Sequence, residues 1–294
     1  MTSADLIVFA IPVFVVTMVI ELLWIHRGPG GALRGYEPKD TAASLAMGVG
    51  NLLFSLPPKV LVFTIFLWLY EHRLFEIGKG PLAWVALFFL EDLCYYGFHR
   101  AHHEVRFLWA AHVNHHSSQR YNLSTALRQS WTTPITGPIF WVPLPLLGFH
   151  PAMILVAQTV SLLYQYWIHT EAMGRLGPLE LVLNTPSHHR VHHGSDDLYL
   201  DRNHGGILIV WDRLFGTFQQ ERETPRYGIR TNIESFHPLV IAFHEWAAMF
   251  RDAARAAGWR AKLGTLFMPP GWAPGGGVTS KTLRDRAKQE LARA

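Results

Sequence analysis

The sequence contains one cysteine, Cys94, in 294 residues. That excludes an intramolecular disulfide framework and any thiolate-rich metal site. Charge is scarce as well: Asp, Glu, Lys and Arg make up 16%, against roughly 25% in soluble domains. The net charge of +4 comes without any block of five basic residues or a zinc-finger or RNA-binding signature, so a nucleic-acid partner is not expected. In a membrane protein, basic residues gather in the loops of one side, which accounts for the surplus. No glycine run has P-loop or dinucleotide spacing, so no bound nucleotide is expected to supply electrons. His103-Glu104 and His244-Glu245 begin like a zinc-protease motif, but Phe107 and Ala248 stand where its second histidine belongs.

What is present is a succession of apolar runs. Residues 6–25 carry Glu21 as their sole charge; about 20 apolar residues at 1.5 Å each match a hydrocarbon core of ~30 Å. Asp5 precedes this run where a signal peptide would be basic, and no small-residue cleavage site follows, so it reads as a retained membrane helix. Residues 41–70 carry only Lys59, with Pro57-Pro58 at mid-length, which fits one long kinked span or a hairpin of two short pieces. Residues 82–98 are charged only at Glu91 and Asp92. Residues 130–147 and 150–168 flank Leu147-Gly148-Phe149-His150-Pro151, a Gly/Pro turn between two helical arms. Arg27, Arg34 and Lys39 set the first loop in the cytoplasm by the positive-inside rule. A single crossing through 41–70 and a return through 82–98 then bring His99 to that side, and the 130–168 hairpin brings His169 there too.

The expected fold is therefore all-α, a multi-pass membrane helical bundle with a cytoplasmic histidine-rich helical cap. One integral-membrane domain covers 1–260, with the cap at 99–129 and 169–220. Within it, residues 238–257 suit an interfacial amphipathic helix or an ordinary packed one. Residues 261–294 read as a loosely structured tail.

Histidine is the residue in excess. Of 17, six lie within 99–116 (His99, His102, His103, His112, His115, His116) and four within 188–193 (His188, His189, His192, His193). They form His99-x3-His103, His112-x2-His115-His116 and His189-x2-His192-His193. Positions i, i+3 and i+4 of a helix share a face, so each motif can aim two or three imidazoles at one point. Imidazole suits iron, zinc and copper, and more than eight rings exceed the needs of one ion, so two metals are the natural count. Carboxylates are too few nearby for the Glu-rich di-iron pattern of soluble bundles. A histidine-rich metal transporter or sensor is the rival from another class, but transporters keep their sites near mid-membrane, whereas these histidines follow the spans.

The pattern Asp92-x2-Tyr95-Tyr96-x2-His99-Arg100-x2-His103, then His112-x2-His115-His116-Ser117-Ser118, His189-x2-His192-His193 and Trp211-Asp212-Arg213-Leu214-Phe215-Gly216-Thr217 resembles the sterol desaturase/fatty acid hydroxylase superfamily over about residues 85–220. Residues 121–130, 168–171 and 184–194 are similar to its alkylglycerol-oxidising branch. The resemblance implies an integral-membrane monooxygenase with two iron ions in a histidine-coordinated di-iron centre, which uses O2 on an unactivated C–H bond of a lipid substrate from the bilayer. In that branch the target is the ether-linked carbon of an alkylglycerol, with tetrahydrobiopterin as reductant; elsewhere in the superfamily, fatty acyl, sterol or carotenoid chains are hydroxylated or desaturated. Electrons must come from such a pterin or from a separate electron-donor protein.

The resemblance carries ligand roles to His99, His103, His112, His115, His116, His169, His189, His192 and His193. Met173 stands where related enzymes place another histidine, a vacancy that His188 is a candidate to fill. His102 and His204 depart from the family pattern, as an extra ligand or a neighbour. Buried ligands need acceptors behind them to fix their tautomers. Asp92, seven residues before His99 and on its helix face, is the first candidate, with Glu104 and Glu171 next; Asn184 and Asp212 read as capping or turn residues. Arg100 and Arg190 suit either a phosphate headgroup or a pairing with acids.

Overall fold

The computed structural model describes residues 3–27 and 33–293. Among them every regular element is helical, and the only strand-like pairings are two isolated bridges, Leu183 with Leu208 and Gly194 with Tyr227. The helices are α1 (Ser3–Arg27), α2 (Pro38–Glu71), α3 (Pro81–Glu104), α4 (Arg106–His116), α5 (Thr133–Thr136), α6 (Pro143–Leu147), α7 (Pro151–Trp167), α8 (Pro186–His192), α9 (Val210–Leu214), α10 (Pro238–Arg255), α11 (Gly258–Phe267) and α12 (Ser280–Arg293).

Among the described residues two helices are long and apolar enough to cross a membrane, Asp5–Arg27 and Pro38–Glu71, each only 11% buried across its most apolar window. α2 starts on Pro38, capped by the Glu37 carboxylate, which accepts the Asp40 N–H. It runs through Pro57 and Pro58 as one helix of 34 residues, so the hairpin alternative falls. At 1.5 Å per residue such a helix is about 51 Å long, more than a ~30 Å hydrocarbon core. The surplus lies at its N-terminal end, where Asp40 and Ser44 bond Ser118 and Arg128 while Ala43 and Met47 pack on Ile241 and Ala242.

The run 130–147 is not one helix. Pro134, Pro138, Pro143 and Pro145 each lack a backbone donor, and they divide it into α5, a 3-10 turn at Pro138–Trp141, and α6. The chain reverses at Gly148, whose φ of +113° suits glycine, and where a Cβ would collide with the Phe75 carbonyl. The second arm of the expected hairpin is helical as α7. Trp141 and Leu144 pack with Leu87, Phe98 and Ile154 into the largest apolar core.

The segment 261–294 also departs from expectation. α11 and α12 flank a glycine turn, the Arg106 N–H bonds the Met268 carbonyl at 3.2 Å, and Arg284 reaches the Leu200 carbonyl at 2.8 Å and Asp201 at 3.2 Å. These anchors tie the segment to the polar half. Of residues 238–257, Pro238–Arg255 are helical as α10, held to α4 by Arg106, which pairs with Glu245 at 2.8 Å and Asp252 at 2.7 Å.

Two buried polar groups lock the long helices to the rest. Glu21 of α1 accepts the Leu123 N–H at 2.9 Å and the hydroxyls of Tyr36 and Thr170. Arg128, 2% exposed, pairs with Asp40 of α2 at 3.2 Å and bonds Ser117 and Ser44, while Ser118 donates to Asp40 at 2.6 Å. Removing one partner of a buried pair strands the other charge at a cost of about 3–5 kcal/mol. Asp40→Ala is therefore expected to lower the melting temperature in detergent strongly. Glu104→Ala, which breaks the half-exposed Arg100–Glu104 pair, should cost about 0.3–0.5 kcal/mol and barely move it.

Candidate metal centre

The histidine motifs fall at helix ends that meet. His99, His102 and His103 occupy the last turns of α3; His112, His115 and His116 end α4; His169 follows α7; His188, His189 and His192 lie on α8, with His193 at its cap. Their rings sort into two groups. His99, His103, His112, His116 and His192 form one, and His115, His169, His189 and His193 the other; within each, one nitrogen per ring lies within 4.8 Å of all the others. All nine residues are buried.

Helix geometry explains the sorting. Residues four apart share a face, which sends His99 with His103 and His112 with His116. Neighbours on a helix point about 100° apart, so two of the His-His pairs are divided between the groups, His115 from His116 and His192 from His193. The groups are adjacent, since the His116 and His193 rings stack at 4.4 Å.

Main-chain carbonyls fix the tautomers. Nδ1 of His99 bonds the His204 carbonyl at 2.9 Å, Nδ1 of His192 that of Arg202 at 2.9 Å, Nδ1 of His169 that of Gln165 at 2.7 Å, and Nδ1 of His115 that of Arg128 at 3.3 Å. A carbonyl only accepts, so each of these nitrogens carries the proton. Burial, reinforced by neighbouring imidazoles, holds the rings far below the usual histidine range; His115 is pushed down to about 4 by burial. At neutral pH the rings are therefore neutral, with bare Nε2 lone pairs. Yet Nε2 of His115 and Nε2 of His169 face each other at 3.2 Å. Two lone pairs at that distance repel unless a cation lies between them.

The spacings suit one. Ligands about 2.1 Å from an ion and at right angles lie about 3.0 Å apart. The Nε2 contacts are 3.1 Å for His99–His112, 3.2 Å for His112–His116 and 3.0 Å for His169–His189. Buried nitrogens without any hydrogen bond, Nε2 of His103, His192 and His193, complete the picture. Buried polar atoms left in that state call for an ion or another partner.

Other expected site residues stand elsewhere. His188 belongs to neither group: it packs on Phe218 at 5.3 Å, with Nε2 4.0 Å from Glu180. The pitch of α8 turns it away from His189. His102 bonds the Phe98 carbonyl at 2.8 Å and Thr136 at 2.9 Å, so both its nitrogens are used. Asp92 holds no histidine; it accepts Ile207 N–H at 2.7 Å, Leu208 N–H at 3.1 Å and Trp211 Nε1–H at 2.9 Å. Glu104 pairs with Arg100, and Glu171 accepts the Arg34 N–H at 3.2 Å. Arg190 grips Glu221 at 2.7 Å, so both arginines pair with acids. The acid beside a grouped histidine is one the sequence reading missed: Asp201, 3.4 Å from Nδ1 of His103. It sits at φ 48° in a turn with Asn203 at φ 56°, a conformation Asp and Asn tolerate. Asp212 caps that turn by accepting His204 N–H at 2.8 Å and Gly205 N–H at 2.7 Å, as a turn residue should.

A family model described as fatty acid hydroxylase matches residues 84–217, a stretch that contains both histidine groups. Over those residues the chain matches the fatty acid hydroxylase family. It is similar to alkylglycerol monooxygenase of Homo sapiens, 42% identical over 276 residues (92% of this chain, 61% of the relative). The Danio rerio protein of that name is 39% identical over 271 residues, 90% of this chain and 59% of its own. An ornithine lipid hydroxylase of Rhizobium tropici is 34% identical over 150 residues, 50% of this chain and 45% of its own. The chain thus spans about three fifths of the alkylglycerol monooxygenases it matches. No solved structure matches it.

The role of Asp92 is open to test. Asp92→Asn keeps the volume but offers an amide N–H2 to a site lined by three donors. Each donor left unsatisfied costs about 1–3 kcal/mol. A clear drop in melting temperature, with 204–211 the first segment to lose amide-exchange protection, is the expected outcome.

Proposed function

We propose that the chain is the oxidising part of a membrane-bound di-iron monooxygenase that acts on lipids, with the ether-linked carbon of alkylglycerols as the preferred target. The observation that carries the reading is the pair of facing, unprotonated nitrogens of His115 and His169. In this reading His99, His103, His112, His116 and His192 hold one ion, and His115, His169, His189 and His193 the other. An all-imidazole donor set fits iron, and no thiolate is at hand to favour a structural zinc. When bound, a pair of irons supplies the redox chemistry by which O2 is reduced and one oxygen atom is inserted into a C–H bond, the other leaving as water.

The chain's own residues prepare that chemistry. The carbonyls behind His99, His115, His169 and His192 keep each Nε2 unprotonated and aimed inward. Burial excludes water, which protects a strong oxidant from side reactions. The apolar outer faces of α1 and α2, with Phe9 68% and Leu53 69% exposed, require lipid around them. A substrate dissolved in that lipid can reach the site laterally, with its chain in hydrocarbon and its glycerol at the interface. Hydroxylation at the ether carbon gives a hemiacetal, which releases a fatty aldehyde and glycerol. The two electrons come from tetrahydrobiopterin or a donor protein, and Arg27, Arg34 and Lys39 beside the first apolar helix support a cytoplasmic site.

Purified protein given alkylglycerol, O2 and reduced pterin should release aldehyde. Oxygenated acyl products without aldehyde under any reductant would transfer the reading to another lipid, and protein that retains no metal would end it. Among variants, His189→Ala is expected to lose metal and more than about 100-fold in activity, since even partners behind a ligand are worth 10–100-fold. His188→Ala, assayed by elemental analysis beside it, should keep its metal.

A further inference from the structure

His204 lies in the turn between α8 and α9 and belongs to neither histidine group by nitrogen spacing. Its side chain is nevertheless fully buried, and neither ring nitrogen makes a hydrogen bond. The Asp201 main chain runs close by without reaching hydrogen-bonding geometry. Its ring centre is 5.0 Å from that of His103, 5.7 Å from His99 and 5.7 Å from His192. Those three rings stand 5.3, 4.3 and 4.8 Å from one another, so His204 packs on their face at nearly their own spacing. The other near ring is Tyr96 at 6.3 Å, whose hydroxyl is engaged with Thr217.

The backbone holds the ring there. The His204 N–H is fixed by Asp212, and its carbonyl is the acceptor that sets the tautomer of His99. Asn203 donates from its side chain to the His188 carbonyl at 3.0 Å and the Gln219 carbonyl at 2.7 Å, which anchors the turn on both sides. A buried imidazole whose two nitrogens lack partners is expensive, and a structure that fixes it so firmly beside five others supplies the reason. We infer that His204 is a sixth imidazole of the five-histidine group and helps to hold that group's ion, a divalent cation of the iron class. The inference rests on the two-metal reading above. His204 is the remaining imidazole with both nitrogens unpartnered beside that group among the described residues.

The test uses the metal-loaded full chain in detergent, challenged with a chelator while metal release is followed. Two ions in unlike groups should leave wild type in two phases. His204→Phe should speed one phase at least 10–100-fold, the range for groups that support a bound metal, and leave the other unchanged; His204→Gln should fall between. A merely structural role would lower the melting temperature and speed both phases together, and that result, or a normally melting His204→Phe with both phases unaltered, overturns the inference. Should His204→Phe fail to fold, a structure of the metal-loaded wild type decides: a His204 nitrogen about 2.0–2.2 Å from the ion is expected, and a ring turned away refutes it. Wild type that carries no metal would remove the two-metal reading and this inference together.

Discussion

The arrangement depends on where nine buried imidazoles keep their protons. A neutral ring has one proton, and four rings must give theirs to a main-chain carbonyl: His99, His115, His169 and His192. Their inner nitrogens are then pure acceptors, and those of His115 and His169 face each other at 3.2 Å. Without a cation this is repulsive; with one, each repulsive contact becomes a pair of bonds. The fold supplies the burial that keeps the rings neutral, and so favours a cation among them.

That condition has to be supported from outside the histidines. Arg128 provides the carbonyl for His115, and its guanidinium is pinned by Asp40 at the inner end of α2. Gln165 and His169 are four apart at the end of α7, a helix whose neighbour α1 is tied to the same region through Glu21 and Thr170. His204 and Arg202 lend carbonyls from a turn held by Asp212, while Asp92 of α3 accepts the N–H groups just beyond it. The long apolar helices thus fix the donor set through buried polar contacts at their ends. Displacing a helix would withdraw an acceptor, free a proton to move to the inner nitrogen, and weaken the site at a distance.

The histidines were legible because helical spacing and residue type both carry information. His99 with His103, and His112 with His116, share faces as the spacing requires. The division of His115 from His116 and of His192 from His193 follows from the same pitch, which also explains why His188, one residue before His189, points away. The acceptors behind the rings were not legible. Four are carbonyls, which every residue has, so Asp92 drew attention by its chemistry while the work fell to Arg128, Gln165, Arg202 and His204. In the run 130–147, apolar composition suggested a span, but four prolines outweighed it locally. At 261–294 the glycine run and the charged end suggested loose structure, whereas Arg284 and the Met268 carbonyl supply polar anchors that composition does not register.

Desolvation links the metal centre to its setting. A water-filled site would let the imidazoles protonate near neutral pH and would offer an oxidant water in place of hydrocarbon. Excluding water meets both needs and also makes the surroundings compatible with an alkyl chain. A soluble protein could bury such a centre only by enclosing substrate completely. In the proposed function, α1 and α2, whose apolar faces are largely exposed, let a bilayer contribute part of the apolar enclosure and deliver an alkyl chain along it. The polar half need then supply only the histidines and their carbonyls. The proline-broken segment Pro138–Leu147 packs beside α3 and fills the apolar core without the length of a full crossing.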